Sequence, residues 1–268
     1  MLSTTLVYYK KKFLIAIQVL ITYLRFKSFE VYNTYVFNVD RLNNIIHKTA
    51  LIDSGVKLGS NNWIGPYTVL TGNLEIGDSN WFAPHVVIGC PPENKSFHVD
   101  VLPVNLEGKI VIGDRNKIHE NTAVQMPTLD ITEIGNDCFL MHGTHIAHDC
   151  KVGDNVILAN NSVLAGHVKI QEFSNLGIGV VVHQYRVIGG YSMIGMGSTV
   201  TRDINPFMLA FGSPCKEVRP NLVGIERNGI DMGRWIDNLN NHNDLIVEDS
   251  TPEKVKFILK EFENLRVH

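Results

Sequence analysis

From Ile134 to Val200 an aliphatic side chain returns at every sixth position without a miss, through Leu140, Ile146, Val152, Leu158, Leu164, Ile170, Leu176, Val182, Ile188 and Ile194. Neither the 3.6-residue repeat of a helix nor the alternation of an ordinary strand has that period. It fits a solenoid of short flat strands, each turning one aliphatic residue inward, with successive coils burying one another's core. Glycine follows the aliphatic at Gly135, Gly153, Gly177, Gly189 and Gly195, and Asn or Asp often comes next, as in Asn136-Asp137 and Asp154-Asn155. These residues accept the tight, partly left-handed turns that the corners of such a coil require.

The same rhythm starts earlier, at Ile52, Leu58, Ile64, Leu70, Ile76, Phe82 and Ile88, then breaks at Cys90-Pro-Pro and resumes at Ile112, Ile118 and Val124. The break leaves an excursion of about twenty residues, and a long loop thrown from a regular solenoid usually serves function. A smaller interruption runs from Met126 to Glu133. The predicted organisation is a β-solenoid over 46–206 with a loop inserted at about 90–110, then a helical region over 207–268. Prolines at 206 and 214 end the coil pattern. Further on, Ser250-Thr-Pro-Glu253 reads as a helix cap ahead of an amphipathic face of Val255, Ile258, Leu259, Phe262 and Leu265.

Residues 1–45 read as an appendage. Lys10-Lys11-Lys12 precedes an apolar run from Phe13 to Leu24, which resembles a signal peptide but lacks a small-residue cleavage site. The run is also shorter than the roughly 20 residues that cross a bilayer, so contact of residues 1–30 with a membrane surface is the lesser reading. A 44% hydrophobic content supplies a sizeable core, and a net charge of −3 gives no footprint for nucleic acid. The four cysteines, Cys90, Cys138, Cys150 and Cys215, form no CxxC pair, which suits reduced thiols in a cytoplasmic protein.

If three hexads close one coil, residues eighteen apart stack at the roughly 4.8 Å spacing of adjacent strands. His148, His167, His183 and Gln184 then fall along nearly one edge of the prism. A column of imidazoles and an amide is hard to explain as core. The plain alternative is a set of solvated histidines at turn corners.

His145-Ile-Ala-His-Asp-Cys150, Leu158-Ala-Asn-Asn161, Leu164-Ala-Gly-His167, Val182-His-Gln184, Ile112-Gly-Asp-Arg-Asn116 and Asn221-x-x-Gly224 with Arg227-x-Gly229 occur in that combination. On these words the chain resembles the UDP-N-acetylglucosamine acyltransferases of lipid A biosynthesis, from about Ile46 to the C-terminus. The resemblance implies a left-handed parallel β-helix with a C-terminal helical domain, assembled as a homotrimer with active sites between subunits. It implies His148 as general base, Asp149 as the group that orients it, and the Gly166 amide as oxyanion donor. His145, His167, His183, Gln184, Asn221 and Arg227 would bind substrate, and Met196 would limit the acyl chain. The donor would be a thioester of acyl carrier protein or coenzyme A and the acceptor a UDP-sugar, with no bound cofactor and no metal. The histidines lack a compelling ligand spacing with cysteine or carboxylate. Chemistry agrees with the base, since an imidazole of pKa near ~6.5 accepts a proton at neutral pH and a neighbouring carboxylate can fix its tautomer.

The departures concern recognition. The resembling enzymes carry Ile-His-Arg-Gly-Thr where this chain has Val124-Gln-Met-Pro-Thr128, and a paired Arg-Arg where it has Arg227-Asn228. The loop word Pro92-Glu-Asn-Lys95 also stands where they show a Gln-Asp-Leu-Lys type. Two enzymatic readings therefore remain open alongside a catalytically silent scaffold. One is acyl transfer from acyl carrier protein to a UDP-amino-sugar; the other is coenzyme A dependent N-acetylation of a nucleotide-linked amino sugar. A scaffold needs the aliphatics but not the imidazoles.

Overall fold

The computed structural model describes residues 36–93, 108–230, 232, 247 and 251–266. Their strands form three sheets of eleven, seven and eight members, and successive members of each sheet lie one coil apart. Apart from the strand pairs at the two ends, all pairings are parallel. A first face carries Trp63–Ile64 and Phe139–Leu140, a second His145–Ile146 and Val163–Leu164, and a third Lys151–Val152 and Lys169–Ile170. His145 pairs with Val163 and Val163 with Val181, the eighteen-residue register that three hexads per coil demand.

Each two-residue strand sends one side chain inward. Ile146, Leu164, Leu176, Ile188, Ile194 and Val200 are fully buried in one continuous core with the aliphatics above and below them. Most corners turn through a residue of positive φ: Asn61, Asp137, Asp149, Asn155, Asn161 and His167 lie between 56° and 63°. Asn and Asp sit there at little cost because their short side chains bond locally, whereas His and Tyr gain no such compensation.

One corner holds a buried ladder that hydrophobic spacing does not reveal. The Oδ1 atoms of Asn44, Asn62, Asn80 and Asn116 accept the amides of Asn62, Asn80, Asn116 and Cys138, each one coil further on, at 2.7–2.8 Å. Their Nδ2 groups donate to the carbonyls of Gly59, Gly77, Gly113 and Gly135. Every carboxamide thus satisfies two backbone groups that water cannot reach. Asn80→Ala orphans the Asn116 amide and the Gly113 carbonyl together, and should lower stability by about 2–5 kcal/mol at unchanged secondary structure. Urea titration followed by circular dichroism measures it.

The ends differ from the sequence expectation. Phe37–Val39 pairs antiparallel with Ile45–His47, so the coil begins inside the segment expected to be appendage; residues 1–35 lie outside the described residues. At the far end Met208–Phe211 pairs parallel with Met193–Ile194 and then antiparallel with Lys216–Pro220, so strands, not helices, open the region from 207. The prolines end the repeat without ending the sheet, because Pro220 and Pro214 sit at an edge and a turn where no ladder amide is needed. Helix α1, Leu222–Arg227, and helix α2, Glu253–Arg266, follow. Helix α2 lies on the third face, burying Val255, Ile258, Leu259 and Phe262, and its Ile258 and Leu265 carbonyls accept from Gln171 and Lys169. The inserted loop leaves after Cys90 and returns at Lys109, with 94–107 outside the described residues. All four thiols are free, and burial pushes Cys138 and Cys150 up to about 12, so they are packed and unreactive. Among the described residues no helix is long and apolar enough to cross a membrane.

Candidate active site

His148 and Asp149 form the corner between the second and third faces. Coil stacking gives this corner two adjacent columns where the sequence suggested one. His148, Gly166 and Gln184 make the first; Asp149, His167 and Tyr185, all at positive φ, make the second. His148 Nδ1 lies 2.8 Å from Asp149 Oδ2, and the His167 Nε2 is 3.8 Å from the same oxygen. The two imidazoles meet edge to face at 5.1 Å, and the Tyr185 ring stacks on His167 at 4.5 Å.

Asp149 is held by the Met126–Glu133 interruption, a role that nothing in the hexad pattern announces. Thr128 donates to Oδ2 through its hydroxyl at 2.6 Å and its amide at 2.9 Å, the Leu129 amide donates to Oδ1 at 3.0 Å, and the Asp149 amide donates to Thr132 Oγ1 at 2.9 Å. A carboxylate so clamped keeps its charge and fixes the His148 proton on Nδ1, leaving Nε2 free to accept one. His148, Asp149 and His167 also offer one ligand atom each within 4.8 Å of one another, a spacing the linear sequence hid and one that could hold a metal ion. A cation there would have to displace the donors already on Asp149, so the arrangement suits proton transfer better than ligation.

Gly166 belongs here for a steric reason. A Cβ on it would meet His148 Cε1 at 2.5 Å and Nε2 at 2.7 Å. Its amide makes no hydrogen bond among the described residues. A free amide on the residue packed against His148 is the kind of donor an oxyanion needs. A cavity of about 390 Å³ opens against this corner, lined by Asp149, His167, Tyr185, Lys151, Lys169 and Arg266 among others.

The remaining sequence candidates are dispersed. His145 is half-buried on the outer side of the second face, between Ala123 and Val163. His183 and Gln184 are exposed, and His183 Nδ1–H donates to the Gln184 carbonyl at 3.1 Å, so His183 stands beside the column and not in it. Asn221 caps helix α1 and Arg227 ends it, both lining a different cavity on the first face. Met196 sits on yet another corner, 76% exposed. Gln125, in the word where the resembling enzymes place histidine, is buried and accepts the Glu93 amide.

Burial alone would raise the Asp149 carboxyl, but the Thr128 hydroxyl and amide, His148 and the Leu129 amide outweigh it and hold the pKa below its ordinary value. Burial lowers His167, with His148 and Lys169 adding to it and Asp149 opposing. A depressed carboxylate stabilises the fold above its unfolded pKa, and that contribution is lost as pH falls through the folded one. A depressed imidazole takes its proton later than the unfolded chain does, so acidification also costs stability from about pH 6.5 downward. Stability should therefore decline first below about pH 6.5 and again below about pH 4, and His167→Gln should shrink the first decline. Urea midpoints from pH 8 to pH 3 test this; an unchanged first decline assigns it elsewhere.

Residues 131–166 match the bacterial transferase hexapeptide model of six repeats. The acyl-[acyl-carrier-protein]–UDP-N-acetylglucosamine O-acyltransferase of Aliivibrio fischeri is 39% identical over 207 residues, 69% of this chain and 77% of that one. The corresponding protein of Herminiimonas arsenicoxydans is 38% identical over the same length. Among solved structures, the UDP-N-acetylglucosamine acyltransferase of Bacteroides fragilis superposes with a TM-score of 0.67 at 26% identity, covering 82% of this chain and 97% of that one. The Campylobacter jejuni enzyme gives 0.66 at 29%, covering 80% and 94%. With its solenoid, its clamped His148–Asp149 corner and relatives this extensive, the chain belongs to the UDP-N-acetylglucosamine O-acyltransferases, left-handed β-helix enzymes of the hexapeptide-repeat class.

Proposed function

We propose that the protein transfers an acyl group from acyl carrier protein to a hydroxyl of UDP-N-acetylglucosamine or a close UDP-amino-sugar, as an early step in making a lipid A type glycolipid. The observation that carries this is the clamped dyad beside the free Gly166 amide. His148 Nε2 takes the acceptor proton as its oxygen attacks the thioester carbonyl carbon. The Gly166 amide holds the oxyanion, and on collapse the leaving thiolate takes the proton from His148. Asp149 stays ionised throughout and positions the ring. An unprotonated amine needs no such base, so the investment in Thr128, Leu129 and Asp149 favours a hydroxyl acceptor over the N-acetylation alternative.

A single chain holds only part of this site. His148 lies at the corner between second and third faces, while Asn221 and Arg227 line a cavity on the first. The third face is charged outside, with Lys57, Glu75, Glu133, Lys151 and Lys169, whereas the second shows Leu51, Val163 and Val181 to solvent. Ile178 and Met196 add exposed apolar surface, 53% and 76%, on the corner beside it. Apolar surface of this kind marks an interface. Closed three-fold symmetry would cover it, bring a first-face cavity to each dyad, and place Met196 of one subunit across from the dyad of another.

The test is a panel: acyl carrier protein and coenzyme A thioesters of graded length against UDP- and dTDP-sugars, read by mass spectrometry. We expect O-acylation of a UDP-amino-sugar from the carrier protein, with short to medium chains preferred and the optimum lengthened in Met196→Gly, each buried methylene being worth about 0.8 kcal/mol. Acetylation of an amine from coenzyme A would overturn the reading, and an unmoved optimum would leave Met196 as packing.

A further inference from the structure

The first-face cavity, about 470 Å³, has a one-sided chemistry. Its lining includes Arg219, Arg227 and the carboxamides of Asn155, Asn175, Asn221 and Asn228, and contains no carboxylate among the described residues. Three described arginines elsewhere are paired: Arg115 with Asp137 at 2.7 Å, Arg186 and Arg266 each with Asp203 at 3.4 Å. Arg219 and Arg227 make no ion pair among the described residues, and Arg219 Nη1 has only a long 3.5 Å bond to the Pro220 carbonyl. Two guanidinium groups thus border one concavity without a counterion among the described residues.

The carboxamides divide by what they already do. Asn221 is committed, its Oδ1 capping Gly224 and its Nδ2 donating to the Tyr191 carbonyl, and Asn228 donates to Gly224. Asn155 and Asn175 make no side-chain hydrogen bond among the described residues, although they stand on adjacent coils of the same wall. A carboxamide offers paired donor and acceptor, the complement of an imide edge, and a guanidinium fork matches phosphate oxygens. The volume falls within the range of small-molecule sites.

We propose that Arg219, which no sequence motif singled out, is a binding residue for the diphosphate of a pyrimidine nucleotide-sugar. It closes on the phosphates opposite Arg227, while Asn155 and Asn175 face the base. This rests on the UDP-sugar reading above and assigns its anionic part to a strand end, Lys216–Pro220, outside the repeat.

Isothermal titration of uridine, UMP and UDP against the full-length chain separates the two. Wild type should bind with affinity rising along the series as phosphates are added. Arg219→Ala should weaken UDP by about 10–100-fold, the size of a lost charge-assisted hydrogen bond, while leaving uridine nearly unchanged. Arg219→Lys should fall between, because a point charge replaces the fork. Arg219 is exposed, so the unfolding midpoint should not move; a variant that does unfold is replaced by Arg219→Gln in the same titration. If Arg219→Ala and Arg219→Gln bind UDP as wild type does, the assignment of Arg219 is overturned and the UDP-sugar reading stands. If wild type binds none of the series, that reading fails and takes this one with it.

Discussion

His148→Ala should lower turnover by about 10²–10⁴-fold, the usual loss on removing a general base, while the unfolding midpoint stays within a few degrees. The side chain lies at a corner, outside the aliphatic core, with its partners being Asp149, the edge of His167 and the surface of Gly166. Nothing in the stack of inward residues depends on it. His148→Gln keeps the volume and a donor but not the basicity, so it should fall nearly as far. A variant retaining wild-type turnover on the UDP-sugar hydroxyl would remove the base from the mechanism.

Gly166→Ala should be almost as damaging, although it adds a single methyl at a buried corner of the coil. A Cβ 2.5 Å from His148 Cε1 cannot coexist with the ring where it stands, and the ring is tied to Asp149 on its other side. The imidazole must swing away from both the carboxylate and the position facing the amide. Misplacing a catalytic group by about an ångström commonly costs near 10²-fold, so kcat should fall at least about that far. Affinity for the nucleotide should hold, because Arg219 and Arg227 lie on another face. Loss of folding stability in place of turnover would make Gly166 a packing residue only.

The hexad spacing carried the core because each two-residue strand contributes one inward aliphatic and the pattern is local. Ile146, Leu164 and Val182 sit where counting by six places them. The words around His148 and His167 likewise pointed at the corner where His148, Asp149 and His167 meet. What stayed hidden is made between coils. The asparagine ladder is a vertical relation among residues that, read along the chain, look like ordinary turn formers. Thr128 reaches Asp149 from a segment that breaks the period, so its sequence position does not give its place in space. Counting by eighteen also merged two neighbouring columns and carried His183 into the site, when its stacking partners are Ala147 and Ala165 and its side chain faces solvent. Edge strands beyond Pro206 obey the sheet but not the repeat, which is why Arg219 had no motif to announce it.

The clamped corner of one chain should work with the first-face cavity of another. Mixing two silent variants tests it most directly: His148→Ala lacks the base, and Arg227→Ala lacks a cavity guanidinium. After joint refolding, about a quarter of the interfaces in randomly mixed trimers pair an intact corner with an intact cavity from the other variant. Acyl-transfer activity should return to roughly that fraction of wild type. Activity no greater than the sum of the separate variants would place corner and cavity in separate roles and contradict the account.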